Sequence, residues 1–274
     1  MFIPENGWGP SGKRAAVSVT FDNLGDVAQR RIGLKPTVAA DGTHLSIEVL
    51  PRLLRMLEGA PITYFVEGYN TVAHPDVIRS LRDAGHEIAA HGWEHENWDQ
   101  TPVPDRRQAL TRAVNAFRDM GVDVQGFRPP GGAVALDDLR DECQSNGLFY
   151  ASPLGAVGDD VEIDGFVSLP FAWKHVDAYV VHEELGALRQ KYGDPAAAYS
   201  TAEWRGFVEG DIARAKEEGG HVTLIFHPFL LAQDEAYLDL LESTVRSVSD
   251  DPEIWAPTCG ELAEWVRDTA GQGG

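Results

Sequence analysis

Short β-branched runs alternate with amphipathic helices along most of this chain, and few folds accommodate that alternation. Ala15-Ala16-Val17-Ser18-Val19-Thr20-Phe21 reads as a strand buried on both faces. Ile47, Leu50, Leu54 and Leu57 then recur at helical spacing, with Ser46 as the expected N-cap. Residues 62–66 are the next expected strand. Pro75 opens a helix carrying Val77, Ile78 and Leu81, and Gly85 closes it, the usual asymmetry of Pro first and Gly last. A strand over 87–90, a helix over 105–120 ended by Gly121 and a strand near 125–127 follow. A helix over 136–146 and strands at 148–151, 166–169, 222–226 and 253–256 continue the series. Helices of about residues 178–190, 203–218, 235–248 and 259–269 lie between or after them. Repeated strand–helix units without long meanders predict a parallel sheet. This many of them predict an α/β barrel, closed or nearly so, with an open doubly wound sheet as the alternative. No repeat or linker interrupts residues 1–274, which read as a single domain. Residues 24–43 show no clear period and are expected at the barrel mouth, and residues 269–274 are expected to fray.

Charge narrows the class of partner. Forty-three Asp and Glu against 23 Lys and Arg leave a net charge of −20. Such a field repels phosphate backbones and anionic lipid, so neither nucleic acid nor membrane is expected as a partner. No apolar run approaches the roughly 20 residues of a membrane span. The first residues lack the basic and apolar regions of a signal peptide. Cys143 and Cys259 form no C-x-x-C pair and suit a reducing compartment, so a cytoplasmic location is expected. Cys143 shares the apolar spacing of Leu136 and Leu139 and reads as a core residue. Nothing in the sequence reports the oligomeric state.

In barrels of this kind reactive groups gather where strands end and loops begin. Four such segments carry chemistry here: Thr20-Phe21-Asp22-Asn23, His91-Gly92-Trp93-Glu94-His95, Arg128-Pro129-Pro130-Gly131 and Phe226-His227-Pro228. His91 and His95 stand four apart, so one turn of helix would bring both imidazoles onto one face. A first-row metal such as Zn²⁺ suits that arrangement, with a third oxygen ligand and a position left open for water. Each residue alone has a plainer reading: Asp22 as a cap, Arg128 as a partner of a surface carboxylate, His227 as a satisfied strand-end histidine. A carboxylate, three imidazoles and a guanidinium at one rim are poorly explained by coincidence.

In order and spacing these segments resemble the polysaccharide deacetylase family, the NodB-homology carbohydrate esterases. Tyr64-Phe65-Val66-Glu67-Gly68 and Pro75-Asp76-Val77-Ile78 resemble that family's second strand and following helix, and the likeness spans about residues 15–230. The form H-G-aromatic-x-H-E-N resembles the peptidoglycan-deacetylase-like and the cyclic-imide or allantoin-hydrolysing branches more than the chitin deacetylases. The resemblance implies a distorted (β/α) barrel of about seven parallel strands and one divalent metal, zinc in the usual case. It implies a hydrolase of non-peptide carbon–nitrogen bonds acting on an N-acetylated sugar, another carbohydrate or a small amide or imide. It further implies His91 and His95 as metal ligands, Asp22 as base, Arg128 as the partner orienting it and His227 as the acid that protonates the leaving nitrogen. Trp93, Pro129, Pro130, Gly131 and Trp173 are implied at the substrate, with Asp177 tuning the late histidine.

One departure stands out. Where the family has a second aspartate, this chain has Asn23, a neutral and weaker ligand for hard and borderline cations. Three outcomes follow: Asn23 binds the metal, Asp22 becomes the ligand and leaves the base role vacant, or the site holds no metal and is silent. With a metal held, bound water can reach a pKa of about 7 and a tetrahedral oxyanion forms beside the cation. An imidazole near its reference pKa of about 6.5 then suits protonation of the departing nitrogen.

Overall fold

The computed structural model describes residues 4–155 and 161–270. Its nine strands are β1 (Ala15–Asp22), β2 (Thr63–Val66), β3 (Glu87–Ala90), β4 (Gly126–Phe127), β5 (Tyr150–Ala151), β6 (Val161–Ile163), β7 (Phe166–Ser168), β8 (His221–Phe226) and β9 (Ile254–Trp255), counted among the described residues. They form one sheet ordered β6-β7-β5-β4-β3-β2-β1-β8, with β9 paired to β1. From β7 to β8 the path holds seven parallel strands. Beyond β7 an isolated parallel bridge joins Val176 to Ile225 of β8, bringing the two ends of the path together. The architecture is the nearly closed α/β barrel that the alternation of strands and helices predicts, in the distorted form of seven parallel strands that the family resemblance implies.

The first strand shows why the sheet takes this form. Its eight residues are all buried. Ala15, Val17, Val19 and Phe21 join the large apolar cluster that also holds the helix residues Leu53, Ile78, Leu110 and Val208. Ala16 faces the other way, into a smaller cluster with Phe65, Ala89, Tyr150 and Val167. The two-residue period of a strand therefore turns Ser18, Thr20 and Asp22 toward the barrel interior. Leu262, Ala263 and Val266 of the helix Cys259–Ala270, together with Trp8, close that interior cluster. Space inside is tight. A Cβ on Gly126 would lie 1.9 Å from the ring of Tyr150, so β4 can pass beside that tyrosine only with glycine there.

Because the strands are parallel, their C-terminal ends share one rim. The pairings Phe21↔Phe226 and Ala90↔Phe127 set Asp22 level with His227, and His91 level with Arg128. The hydrogen bonds His91 N–H to Val66 O (2.9 Å) and Arg128 N–H to Ala90 O (3.0 Å) extend the ladder to the reactive residues themselves. Rigid sheet thus carries the chemistry to its edge.

Three local expectations need correction. The helix expected over 178–190 is broken into Asp177–Val181 and Gly186–Lys191, joined by a 3₁₀ turn, because His182 adopts an extended conformation (φ −82°, ψ 117°). Ser46 is not an N-cap. His44 caps the short helix Leu45–Glu48, and Ser46 instead accepts the Gly25 N–H at 2.8 Å. Strand β6 was not expected, yet Asp164-Gly165, with φ of 52° and 78°, is the tight-hairpin signal that pairs it antiparallel to β7. Residues 24–43 do lie over the rim, where Val27–Arg31 forms a short helix. Cys143 is fully buried, as its spacing predicts. The expected fraying concerns residues 269–274, of which 271–274 lie outside the described residues; Thr269 and Ala270 end the last helix. Among the described residues no helix is long and apolar enough to cross a membrane.

Candidate active site

Arg128 is the keystone of the rim. It is 1% exposed, and its Nη1 donates to Asp22 Oδ1 at 2.5 Å and to Thr20 Oγ1 at 2.9 Å. Nε and Nη2 both donate to Ser152 Oγ, and the guanidinium lies 3.9 Å from the centroid of Phe65. All three nitrogens of the cation thereby find an acceptor, which is the condition for holding one inside a fold. Asp22, 5% exposed, keeps Oδ2 clear of Arg128, and that oxygen lies 3.9 Å from His91 Nε2.

The two histidines converge, but not on a helix. Residues 92–94 form a turn that begins at the left-handed Gly92 (φ 74°) and runs into the left-handed His95 (φ 63°), and the rings meet with centroids 5.0 Å apart. Glu96 holds the turn closed by accepting the N–H groups of Trp93 (2.9 Å) and Glu94 (3.0 Å). Glycine suits position 92, where the left-handed φ strains any other residue and a Cβ would also push against the Glu96 carboxylate at 2.6 Å. His91 Nδ1 donates to the Arg128 carbonyl at 2.8 Å, because that oxygen can only accept. The proton is therefore on Nδ1, and Nε2 presents its lone pair. Burial holds the His91 imidazole down to about 3, against the opposing hydrogen bond to Arg128. Burial, then the neighbouring His91, does the same to His95, also to about 3. Both rings are neutral at neutral pH.

A stability prediction follows. Between about 6.5, the unfolded value, and about 3, the folded value of both rings, the unfolded chain binds protons that the folded chain does not. Stability from this pair is complete above 6.5 and is lost as pH falls toward 3. In metal-free protein the urea midpoint should drop more between pH 7.5 and 5 for the natural chain than for His95→Asn; equal drops would refute it.

Asn23 follows β1 in a left-handed conformation (φ 63°), and its backbone is clamped from β2 and beyond. Tyr64 Oη donates to Asn23 O at 2.9 Å, Asn70 Nδ2 to Leu24 O at 2.8 Å, and Leu24 N–H to Glu67 Oε2 at 3.2 Å. Glu67 is fully buried, and burial above all raises its carboxyl to about 8, so it is protonated at neutral pH. The Asn23 side-chain oxygen is buried without a hydrogen-bond partner, as is His95 Nδ1. On the opposite side His227 Nδ1 donates to Asp177 Oδ1 at 2.5 Å, and Asp177 Oδ2 accepts the His227 backbone N–H at 2.6 Å. Burial alone would lower the His227 imidazole, but the charge and hydrogen bond of Asp177 outweigh it and hold it above its ordinary value.

These groups open on one cavity of about 190 Å³. Of the residues singled out in the sequence, Asp22, Asn23, His91, His95, Arg128, Pro129, Gly131, Trp173 and His227 line it. Asp177 sits behind His227. Trp93 and Pro130 are not among the lining residues. Trp93 is buried beneath Arg112, whose guanidinium lies 3.7 Å from its ring, and stands edge-on to Tyr69. Sequence reasoning gave no role to Thr20, Ser152, Glu67 or Glu96, which hold the site from behind. Glu96, adjoining the second histidine, was the one visible signal.

Among the described residues no three or more His, Cys, Asp or Glu form a group able to hold a metal. The donors present nevertheless fit one divalent cation if an amide is counted. His91 Nε2 is an unprotonated donor, and the partnerless buried Asn23 Oδ1 is an acceptor that a cation would satisfy.

Known proteins place the sequence and the fold. The sequence profile for polysaccharide deacetylase matches residues 11–151, just over half of the chain. A peptidoglycan deacetylase of Helicobacter pylori is 30% identical over 84 residues, which cover 30% of this chain and only 29% of that relative's length. A Mycobacterium smegmatis structure assigned to the polysaccharide deacetylases superposes with a TM-score of 0.78 at 25% identity, covering 98% of this chain and 96% of that one. Puue allantoinase superposes at 0.74 over 95% of this chain and 93% of its own, with 17% identity, a likeness of fold. Motif order, barrel and profile agree, and the chain belongs to the polysaccharide deacetylase family.

Proposed function

We propose that this chain is a divalent-metal-dependent hydrolase of non-peptide carbon–nitrogen bonds, deacetylating an N-acetylated sugar or opening a small amide or imide. The observation that carries the reading is the meeting, in one cavity, of a carboxylate paired to a buried guanidinium, two neutral imidazoles and an imidazole paired to a buried carboxylate. His91, His95 and Asn23 would hold the cation, which when bound supplies a Lewis acid for a carbonyl and acidifies water.

The chain's own residues do the rest. Arg128 occupies Asp22 Oδ1 and leaves Oδ2 to take a proton from the attacking water. His227 enters as imidazolium, its Nδ1–H fixed on Asp177, and gives the Nε2 proton to the nitrogen as the carbon–nitrogen bond breaks. Water's oxygen ends on the acyl carbon, and the products are a carboxylic acid and an amine or amide.

Asn23 also favours a second reading, a silent relative that binds its ligand without turnover. One experiment separates the two. Protein reconstituted with Zn²⁺ is analysed for metal and assayed on acetylated sugars, small amides and imides, beside the variant Asn23→Asp. The carboxylate should tighten metal binding about tenfold. Hydrolysis by the natural chain supports the hydrolase; ligand binding with neither metal nor turnover supports the silent relative; no metal in either protein and no hydrolysis defeats the proposal.

A further inference from the structure

We infer that the group carried by the scissile amide is a single small apolar ring or short hydrocarbon, not a glycan chain. This rests on the hydrolase reading for the amide and on the cavity lining for everything beyond it.

A sugar needs hydrogen-bond partners for its hydroxyls, and the cavity has few to give. Outside the groups assigned to hydrolysis, the polar side chains that line it are Gln29, Tyr179 and His182, apart from the indole of Trp173. Gln29 is spent at both ends: Nε2 donates to Thr37 Oγ1 at 2.9 Å, while Oε1 accepts the Thr37 N–H at 3.0 Å and faces His44 Nε2 at 2.8 Å. Tyr179 donates its hydroxyl to Asp194 Oδ2 at 2.6 Å. His182 Nδ1 accepts from the Glu184 N–H, which leaves that ring only its Nε2–H to offer. Each sugar hydroxyl buried here without a partner weakens binding roughly tenfold.

Nor is Trp173 free to serve as a sugar platform. It stacks on Tyr179 with centroids 5.2 Å apart, meets Phe171 edge-on and contacts Tyr192. Its Nε1–H, buried without an acceptor, offers a single polar atom one further donor. The remaining wall is hydrocarbon: Ile32, Leu34, Leu185, Leu188 and Phe229 among others. Ile32 is 54% exposed on this rim, an apolar side chain that an apolar ligand would cover. At about 190 Å³ the cavity lies below the roughly 300–1,000 Å³ of pockets for drug-sized ligands, which limits the body to about one ring.

Acetanilide and tri-N-acetylchitotriose carry the same acetamide on opposite kinds of body, and equilibrium dialysis of each against the Zn²⁺-reconstituted chain tests the inference. Chromatography of both compartments reads binding and released amine together. Acetanilide should bind at least about tenfold tighter than the trisaccharide, and Ile32→Asn should weaken it about threefold. Trisaccharide binding as tight as acetanilide, or no binding of acetanilide, overturns the inference. Turnover of the trisaccharide in preference overturns it too, while leaving the hydrolase reading intact. Acetanilide bound but never cleaved supports the cavity inference and leaves the hydrolase reading to be decided by the assay on sugars, amides and imides.

Discussion

Replacing Arg128 by leucine should destabilise the fold by about 3–5 kcal/mol and abolish hydrolysis. The guanidinium is fully enclosed, and it is the cation that matches the buried Asp22 charge. Its removal leaves that carboxylate facing the barrel interior without a counter-charge, and it strips Thr20 and Ser152 of a shared donor. It also frees the backbone carbonyl that fixes the His91 tautomer from a well-anchored strand end. Adding Asp22→Asn to the leucine variant removes the stranded charge, so the double variant should regain part of the lost stability while remaining inactive. Urea unfolding of the two single variants and the double variant measures the coupling. A cost below about 1 kcal/mol for Arg128→Leu would mean that the pair is not the buried anchor described here.

The strands that deliver Asp22, His91, Arg128 and His227 were legible in the sequence because each is a short apolar run ended by a turn, and parallel pairing carries such ends to one rim. What the sequence hid was local geometry. Spacing of four suggested a helix beneath His91 and His95, yet the turn uses left-handed backbone at Gly92 and His95 and is tied by Glu96. Periodicity cannot report a turn of that kind, because its cause is one side chain accepting two backbone N–H groups. Glu67 and Ser152 were hidden for a related reason: the groups they hold at the rim, Leu24 N–H and the Arg128 guanidinium, are distant in sequence. Trp93 matched a motif by position but faces Arg112 and Tyr69, since adjacent residues in a tight turn diverge in direction. The broken helix around His182 turned out to matter as well, because the break places His182 and Leu185 in the cavity wall.

His227→Ala should lower kcat about 10²–10⁴-fold, the range typical of a lost general acid, with a smaller change in KM. The more discriminating variant is Asp177→Asn. In the natural chain burial pushes the His227 imidazole down, and Asp177 more than reverses this, so the ring stays protonated above its ordinary value of 6.5. An acid that must start protonated loses activity as pH rises through its pKa, so the alkaline limb of kcat belongs above 6.5. With asparagine at 177 the burial remains and the compensating charge is gone. The limb should then move to lower pH, and the plateau should be narrower. Stability changes in the same sense. A raised imidazole stabilises the fold fully below the unfolded value of about 6.5 and stops doing so as pH climbs through the folded value, so Asp177→Asn should cost more at pH 6 than at pH 9. Paired pH profiles of kcat and of the urea midpoint supply both readings. A limb that stays in place in Asp177→Asn would take the acid role away from His227, since among the described residues of that wall His227 is the one titratable side chain hydrogen-bonded to Asp177.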